Sequence, residues 1–375
     1  MRVWGITGTN GKTTVTWILA EFLKAAYVTT VEVNTLKRRF YTGYTTPPLN
    51  QLKDIFSEMD SSGAEDCVME VSSHAIHQRR TGDTVFAGGA FTNLSEDHLD
   101  YHKTMEEYFR VKLLFAERIA DDNLKLKGWE GGIPLSAGRK DFPPFVVCMD
   151  GGYAEEMLKA CGRLALNVIP VSIKNPHYDL SCCQLVGDYN KSNVLVAAAL
   201  AEAAGISREK IASIIPLLKP RWGRLEKVES RSKATVYVDF AHTPDGIEKV
   251  LGAISAPGKL WVVFGAGGDR DPMKRSLMGE AAARGADVVV LTSDNPRSED
   301  PEKIIDMIEL GVNSTSIPRA KSVNRESDRK KAIYFALENA SVDDVIVICG
   351  KGHETTQEIA GVKYPFDDRE VVRSF

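Results

Sequence analysis

The segment with the clearest chemical signature is a glycine-rich run that follows an apolar stretch, residues 3–6. It consists of Gly8, Thr9, Asn10, Gly11, Lys12, Thr13 and Thr14. Glycines let backbone N–H groups approach phosphate oxygens, and the N-terminus of a following helix favours negative charge. The lysine adds a positive charge, and a hydroxyl can bind Mg²⁺. The standard G-x-x-x-x-G-K-[ST] spacing would need a glycine at Ile6, but the order of strand, loop and helix still predicts ATP binding.

Two further segments carry acidic and imidazole side chains at the ends of apolar, strand-like runs. Glu70 ends one such run, and Asp97 and His98 follow another, residues 90–94. A carboxylate at the carboxyl end of a strand, beside a phosphate loop, is well placed to bind Mg²⁺. Each residue alone is equally compatible with a capping or hydrogen-bonding role. Together they favour a metal site.

Lys112 lies three or four residues from Tyr108, Phe109 and Phe115, so helical periodicity places it on the apolar, inward face of a helix. A lysine at the edge of such a face commonly extends its ammonium to solvent. An inward ammonium beside Mg²⁺ would be repelled, and it would need a partner or a change of chemistry. Carbamylation by CO₂ would turn the cation into an oxygen-bearing anion. The residues alone leave these alternatives open.

These side chains must be positioned by strands and helices, and apolar runs alternate with helical patterns along the chain. The alternation predicts an α/β architecture with mainly parallel sheets. Strands are predicted at residues 2–7, 66–71, 86–94, 235–240, 260–265, 287–292 and 345–349. Helices are predicted at residues 13–25, 48–61, 104–119, 190–204, 208–217, 245–254, 274–284, 301–310 and 327–340. Residues 121–144, rich in Gly, Pro, Lys and Asp, are predicted to be an irregular connection.

A segment containing proline and glycine, residues 219–223, predicts a domain boundary. We therefore expect a phosphate-loop domain at residues 1–222 and a Rossmann-like domain at residues 223–375. Ligands of such sheets bind beyond the carboxyl ends of the strands, where the second domain carries its polar motifs. These motifs are Ala241-His242-Thr243-Pro244-Asp245, Gly267-Gly268-Asp269-Arg270-Asp271, Asp294-Asn295-Pro296-Arg297 and Gly350-Lys351-Gly352-His353-Glu354.

The composition narrows the class of protein. The chain has 375 residues, of which 43% are hydrophobic and 26% charged, typical of a globular protein large enough for two domains. A net charge of −4 gives no reason to expect nucleic-acid binding, and no apolar run approaches the length of a membrane helix. The six cysteines form no C-x-x-C pair, so we expect buried, reduced thiols. Without a signal-peptide pattern, a cytoplasmic enzyme is expected.

As an ordered set, the motifs resemble the Mur ligase family over nearly the whole chain. The match is weakest at residues 121–186. In the first domain it rests on the phosphate loop, Thr45-Thr46-Pro47-Pro48, Met69-Glu70-Val71-Ser72-Ser73-His74, residues 92–102 and the Lys112 helix. In the second domain it rests on residues 239–245, residues 264–275, Asp294 through Arg297 and Gly350 through Glu354.

The resemblance implies ATP-dependent amide synthesis. A substrate carboxylate takes the γ-phosphoryl group, and an amine then displaces phosphate from the acyl phosphate. By resemblance, Lys12, Glu70, His98 and Lys112 are catalytic. Thr13 and Glu70 would hold one Mg²⁺, and His98 with carbamylated Lys112 would hold or orient a second. The loop residues 8–14 and Asn193, Arg224 and His242 would contact the nucleotide. The acceptor, a peptidoglycan precursor, would be contacted by Thr45, Thr46, Ser72, Ser73 and Arg80.

The resemblance also implies a preference for the incoming amino acid. In relatives that add meso-diaminopimelate, the Asn and Arg of D-N-P-R bind the distal carboxylate, and the Gly and Glu of G-K-G-H-E meet the distal ammonium. This chain has Asn295, Arg297, Gly350 and Glu354 at those positions, and Arg270 lies in the G-G-D-R-D segment. A guanidinium fork suits a carboxylate, which lysine lacks at its distal end. We therefore expect diaminopimelate.

Two features depart from the family pattern. The phosphate loop lies near Met1, so we expect this sequence to lack the uridine-binding front domain of three-domain Mur ligases. Residues 148–152, Cys-Met-Asp-Gly-Gly, replace an Asn/Asp-rich turn. Two alternatives therefore stay open: the same chemistry on a non-UDP acceptor, as in folylpolyglutamate synthetases, or a silent ATP-binding partner subunit. The expected partners are small-molecule substrates, with no nucleic acid or membrane, and the expected oligomeric state is a monomer.

Overall fold

The computed structural model describes residues 1–128 and 138–375. The chain divides into two compact units, Met1–Leu218 and Lys219–Phe375. The division lies four residues before the domain boundary predicted from the sequence. The predicted α/β class with mainly parallel sheets is confirmed.

The described part of the first unit is built on an eight-stranded sheet with the order β4-β3-β2-β5-β1-β6-β7-β8. The strands are β1 (Arg2–Thr7), β2 (Ala26–Val28), β3 (Val33–Asn34), β4 (Arg39–Phe40), β5 (Asp66–Glu70), β6 (Phe86–Phe91), β7 (Pro144–Cys148) and β8 (Asn167–Val171). All neighbours from β2 to β8 pair in parallel, and β3 and β4 continue the sheet as antiparallel strands. The carboxyl ends of β1, β2, β5 and β6 therefore meet at one edge of the sheet.

Helices cover this sheet and supply several of the candidate site residues. They are α1 (Lys12–Leu23), α2 (Leu49–Ser61), α3 (Ser73–His77), α4 (Leu99–His102), α5 (Met105–Leu126), α6 (Ala154–Cys161), α7 (Asp188–Ala203) and α8 (Arg208–Ile214). Helix α5 begins after Thr104, whose side chain caps it by accepting a hydrogen bond from the backbone N–H of Glu107. Its buried face packs into the core with Phe86 and Phe145.

The prediction of an irregular connection at residues 121–144 is wrong at its beginning. Helix α5 continues to Leu126 because its apolar face recurs through Phe115, Ile119 and Ala120, all buried in the core. Residues 129–137 of that predicted connection lie outside the described residues. No helix in the described ranges, 1–128 and 138–375, is long and apolar enough to span a membrane.

The second unit is built on a six-stranded sheet, as far as the structure describes it, with the order β13-β12-β11-β14-β10-β9. Its strands are β9 (Glu226–Val228), β10 (Thr235–Asp239), β11 (Leu260–Phe264), β12 (Val288–Leu291), β13 (Ser322–Arg325) and β14 (Val345–Cys349), followed by the hairpin β15 (Thr356–Ile359) and β16 (Val362–Pro365). Only β9 pairs antiparallel within the six strands. The helices are α9 (Pro244–Gly252), α10 (Met273–Gly285), α11 (Pro301–Ser314), α12 (Arg329–Asn339) and α13 (Asp368–Ser374).

A fully buried ion pair joins α12 to α13 in the second unit. The Arg329 guanidinium donates to both carboxylate oxygens of Asp368 at 2.8 and 2.7 Å, and neither side chain is exposed. Arg329 also donates to the carbonyl oxygens of Ser293 and Cys349, at the carboxyl ends of β12 and β14. The pair therefore secures the strand ends that carry the Asp294 and Gly350 motifs.

Replacing Arg329 with methionine should destabilise the chain by about 3–5 kcal/mol, because Asp368 would be left as an unpaired buried charge. The measurement is the free energy of unfolding from chemical denaturation. The matched control is Arg325→Met, which removes a partly exposed arginine paired with Glu302 and Glu309 and should cost about 1 kcal/mol or less. Equal losses in the two variants would contradict the expectation.

Candidate active site

The phosphate loop leaves the carboxyl end of β1 and is secured by the residues that follow β6. Thr9 N–H donates to the carbonyl of Asn93 at 2.9 Å, and Asn10 N–H donates to the Asn93 side chain at 2.9 Å. Gly8 has φ 147° and packs so tightly that an added Cβ would collide with the Thr92 hydroxyl. These contacts fix the loop against the residues that follow β6.

Asn193 is brought to the same loop by helix α7. Gly11 has φ 86°, and a Cβ added there would lie 2.5 Å from Asn193 Oδ1. Asn193 is buried, with its amide within 3.4 Å of Asn190 Oδ1. A side chain in contact with the phosphate loop is positioned to meet a nucleotide bound there.

Two lysines converge on one carbonyl oxygen of the loop. Lys12 Nζ donates to the carbonyl oxygens of Gly8 at 3.0 Å and Thr9 at 2.8 Å. Lys112 Nζ donates to the same Gly8 carbonyl at 2.9 Å. The loop therefore gathers two amine groups at the site where phosphate charge would be neutralised.

Lys112 occupies the inward position predicted from its spacing, with 1% of its surface exposed. Its Nζ lies 4.7 Å from the centre of the Tyr108 ring. Burial, together with the positive charge of Lys12, lowers the pKa of Lys112 well below its usual range. Because deprotonation leaves a neutral amine, this environment favours the form that can attack CO₂.

Glu70 ends β5 with 1% of its surface exposed, and Thr30 holds its carboxylate. Thr30 donates its backbone N–H to Glu70 Oε1 at 2.8 Å. Its hydroxyl lies 3.2 Å from Glu70 Oε2 and 2.9 Å from Thr45 Oγ1, and it can donate to either oxygen. Thr13, in the first turn of α1, is also buried. The carboxylate and the hydroxyl belong to elements that flank β1, and both are hard oxygen donors of the type that Mg²⁺ prefers.

His98 lies in a left-handed backbone conformation, φ 57°, just before α4. Its ring Nε2 is 3.5 Å from Asp97 Oδ2, and burial lowers the pKa of His98 to about 4. The ring is therefore neutral near pH 7. Among residues 1–128 and 138–375, no three His, Cys, Asp or Glu side chains are placed to hold one ion, and the metal-binding roles of Glu70 and His98 stay predictions.

The predicted acceptor residues form a connected set at the ends of β5 and α3. Thr46 donates its hydroxyl to the Glu70 carbonyl at 2.9 Å and accepts from Ser72 N–H at 3.1 Å. Arg80 donates to the Thr46 carbonyl at 3.2 Å, and its guanidinium lies 5.6 Å from the centre of the exposed Tyr44 ring. Thr46 thus links Ser72 and Arg80 to the backbone carbonyl of Glu70.

Ser73 connects instead to a chain of side chains that returns to the phosphate loop. Its hydroxyl is 2.9 Å from His102 Nε2, and the buried His102 ring stacks on Tyr108 with 5.0 Å between centroids. The Thr9 hydroxyl donates to the Tyr108 hydroxyl at 3.1 Å. Neither His102 nor Tyr108 was predicted as a site residue, although both lie within the motifs that carry the resemblance.

The second unit brings Asn295 and Glu354 together at the ends of β12 and β14. Asn295 Nδ2 donates to Glu354 Oε2 at 2.9 Å. Asn295 Oδ1 accepts from the backbone N–H of Glu358, also at 2.9 Å. Gly350, with φ 113°, lies so near Asp294 that an added Cβ would collide with its carboxylate. A side chain at position 350 would therefore push this cluster apart.

Arg297 is fixed beside the same cluster by contacts of its backbone and side chain. Its N–H donates to the Glu358 carbonyl at 3.0 Å, and its guanidinium donates to the Gly268 carbonyl at 2.6 Å. Its Nε is 3.8 Å from Glu358 Oε2. Asn295 and Arg297 therefore meet at Glu358, whereas the side chain of Arg270 is exposed and donates only weakly, at 3.4 Å, to the Asp269 carbonyl.

Arg224 and His242 lie on either side of Phe240, which follows β10. The Arg224 guanidinium is 4.5 Å from the centre of the Phe240 ring, and the His242 ring is 4.7 Å from it. His353, which was not predicted, lies 4.9 Å from the same ring, and burial lowers the pKa of His353 to about 3. Arg224 therefore brings a planar cation to a cluster of aromatic and imidazole rings.

Fold and site together define a class of α/β proteins that bind ATP through an N-terminal phosphate loop and carry a separate Rossmann-like unit. Residues 6–127 match the Mur ligase middle domain, and residues 223–352 match the glutamate ligase domain of Mur ligases. The chain belongs to the Mur ligase family and is an ATP-dependent, ADP-forming amide ligase.

Individual relatives agree with this assignment. The chain is 39% identical to the UDP-N-acetylmuramoyl-L-alanyl-D-glutamate–2,6-diaminopimelate ligase of Geobacillus kaustophilus, over 99% of this chain and 78% of the relative. A solved structure of a ligase of that name is 32% identical, with TM-score 0.61. The match covers 100% of this chain and 78% of the chain in that structure. Folylpolyglutamate synthase of Mycobacterium tuberculosis shares the fold, with 18% identity and TM-score 0.61. The match covers 93% of this chain and 88% of the synthase chain.

Proposed function

We propose that this chain joins meso-diaminopimelate to a UDP-muramoyl-dipeptide precursor of peptidoglycan with hydrolysis of ATP to ADP and phosphate. The observation that carries the ATP-dependent step is the convergence of Lys12 and Lys112 on the Gly8 carbonyl. In this proposal Lys12 neutralises charge on the transferred phosphoryl group, and loop N–H groups orient the ATP phosphates.

The donor set of the first unit fits Mg²⁺. Thr13 and Glu70 would hold one ion, which neutralises phosphate charge when bound. His98 and carbamylated Lys112 would hold or orient a second. The neutral His98 ring supports this assignment because it adds no positive charge beside the metal, and the lowered pKa of Lys112 favours the neutral amine that carbamylation requires.

The acceptor is assigned to the set formed by Thr45, Thr46, Ser72, Ser73 and Arg80. In this proposal the acceptor carboxylate takes the phosphoryl group, and the amine held by the second unit displaces phosphate. Asn193, Arg224 and His242 are the further residues proposed to contact the nucleotide. The preference for a UDP-linked muramoyl acceptor over a folate chain rests on the 39% identity to a ligase named for it.

The amino acid is assigned to the cluster of Asn295, Arg297, Gly350 and Glu354, with Arg270 at its exposed side. A distal carboxylate would meet Arg297 and the Asn295 amide, and a distal ammonium would meet Glu354. Opposite charges at fixed positions select a zwitterionic group over a simple ammonium, which supports diaminopimelate over lysine. A cytoplasmic monomer acting on these small molecules completes the proposal.

The test is release of phosphate from ATP, measured with purified chain and UDP-linked or uridine-free muramoyl dipeptide, and with diaminopimelate, lysine or no amino acid. We expect phosphate release that requires both acceptor and diaminopimelate, with the tripeptide product identified by mass. If a folate or peptide acceptor supported turnover and the muramoyl dipeptides did not, that acceptor would replace the proposed one. Absence of turnover with every pair, while ATP still binds, would favour a silent ATP-binding partner subunit.

A further inference from the structure

Lys351 is a completely buried lysine inside the amino-acid cluster of the second unit. None of its surface is exposed, and its Nζ donates to Asn295 Oδ1 at 3.1 Å and to Glu354 Oε2 at 2.9 Å. Asp294 Oδ1 lies 4.0 Å from the same nitrogen. Burying an ammonium is costly unless carboxylates and hydrogen bonds offset it. Here the compensating groups include two side chains assigned to the substrate.

Lys351 determines which way the Asn295 amide faces. Oδ1 of Asn295 accepts from Lys351 and from the backbone N–H of Glu358, so both of its lone pairs are used. The amide nitrogen is then directed to Glu354 Oε2 and keeps its second N–H for another acceptor. A rotated amide would place its oxygen against the Glu354 carboxylate and its nitrogen against the Lys351 ammonium, which are both unfavourable contacts.

We propose that Lys351 is a positioning residue that presents the Asn295 amide and the Glu354 carboxylate to the distal zwitterion of the incoming diamino acid. This inference rests on the proposed function. Lys351 uses one oxygen of Glu354 and leaves the other for the distal ammonium. Its charge also offsets part of the negative charge of Asp294 and Glu354, which weakens the repulsion of the distal carboxylate of the substrate.

Without Lys351, the cluster would carry more negative charge, and the Asn295 amide would be held only by the Glu358 N–H and the Glu354 carboxylate. Such a site suits a bare ammonium better than a zwitterion. Lys351→Met should therefore raise the KM for diaminopimelate by about 10-fold or more and lower the ratio of kcat/KM for diaminopimelate over lysine by a similar factor. The KM for ATP should change by about twofold or less, because Lys351 Nζ contacts Asn295, Glu354 and Asp294, which are not assigned to the nucleotide.

The experiment measures phosphate release by wild type, Lys351→Met and Lys351→Arg against diaminopimelate, lysine and ATP. Lys351→Arg keeps the charge and should recover part of the discrimination. The matched control is Lys303→Met, which changes an exposed lysine of α11 and should leave every constant unchanged. Thermal melting is recorded for each variant, and Lys351→Gln replaces Lys351→Met if the methionine variant does not fold.

An unchanged discrimination ratio in the folded variants would overturn the role of Lys351. An equal rise of KM for diaminopimelate, lysine and ATP would overturn it too, since a general structural defect predicts that pattern. If wild type does not use diaminopimelate, the proposed function fails separately. In that case the deciding measurement uses the amino acid that wild type does accept. A rise of its KM in Lys351→Met without a rise of the KM for ATP would still support the role of Lys351 in positioning the cluster.

Discussion

Replacing Lys112 with alanine should lower turnover by about 10²- to 10³-fold, a loss comparable to that of one preorganised charged or hydrogen-bonding group. Burial and the positive charge of Lys12 hold the pKa of this amine well below its usual range, which favours the neutral form. That amine can add to CO₂ to form an N-carboxylate and release one proton. The alanine variant has neither the amine nor its product, and it leaves a space that acetate or another short carboxylate should fill, with partial recovery of turnover.

The matched control for Lys112 is Lys125→Ala, which removes an exposed lysine from the same helix, α5, and should leave turnover unchanged. A second measurement does not depend on activity: ¹³C-bicarbonate should give a carbamate resonance with wild type that is absent with Lys112→Ala. Because protonation of a carbamate releases CO₂, wild type depleted of CO₂ at mildly acidic pH should lose activity and regain it with bicarbonate. Full activity of Lys112→Ala would rule out this role.

Arg297→Ala should raise the KM for diaminopimelate by about 30- to 900-fold, equivalent to the loss of about 2–4 kcal/mol from one charge-assisted contact. Arg297 is held by Gly268 and by Glu358, so its guanidinium is oriented before the substrate arrives. The KM for ATP should hardly change, and the KM for lysine should change little because lysine has no distal carboxylate.

Steady-state kinetics with varied diaminopimelate, lysine and ATP measure these effects. Arg284→Ala serves as the matched control, since Arg284 is a half-exposed arginine of α10 that pairs with Glu280. It should match wild type in all three constants. A wild-type preference for lysine, or an Arg297→Ala variant that binds diaminopimelate normally, would show that the distal carboxylate is held elsewhere.

The buried strands and long helices of this fold were predictable from the sequence because their apolar patterns are strong. Strands β1 and β14 lie at the predicted residues, and each is almost entirely buried in a parallel sheet. Strands β3 and β4, which have two residues each, and the edge strand β8, which contains Pro170, were not predicted. The sequence also did not predict the buried strands β2 and β7, or β9, β13, β15 and β16 of the second unit. Short edge strands have little apolar periodicity, and they form because a neighbouring strand offers hydrogen bonds.

Site residues were predictable where they belong to a sequence motif. They were not predictable where their role depends on tertiary packing. The inward position of Lys112 followed from helical spacing and is confirmed by its burial. Thr30 was missed because it has no motif of its own: only the pairing of β2 with β5 brings it to the Glu70 carboxylate. Lys351 lies inside a quoted motif, but its contact with Asn295 joins residues 56 positions apart.

The hydrogen bond from Lys112 Nζ to the Gly8 carbonyl has a consequence for how carbamylation of Lys112 would be accommodated. An ammonium has three N–H groups, and an N-carboxylated lysine still has one. That remaining N–H can keep the 2.9 Å bond to the loop while the new carboxylate extends from the same nitrogen. In the proposed carbamylation, this hydrogen bond would keep the nitrogen beside the loop while the side chain gains a negative charge.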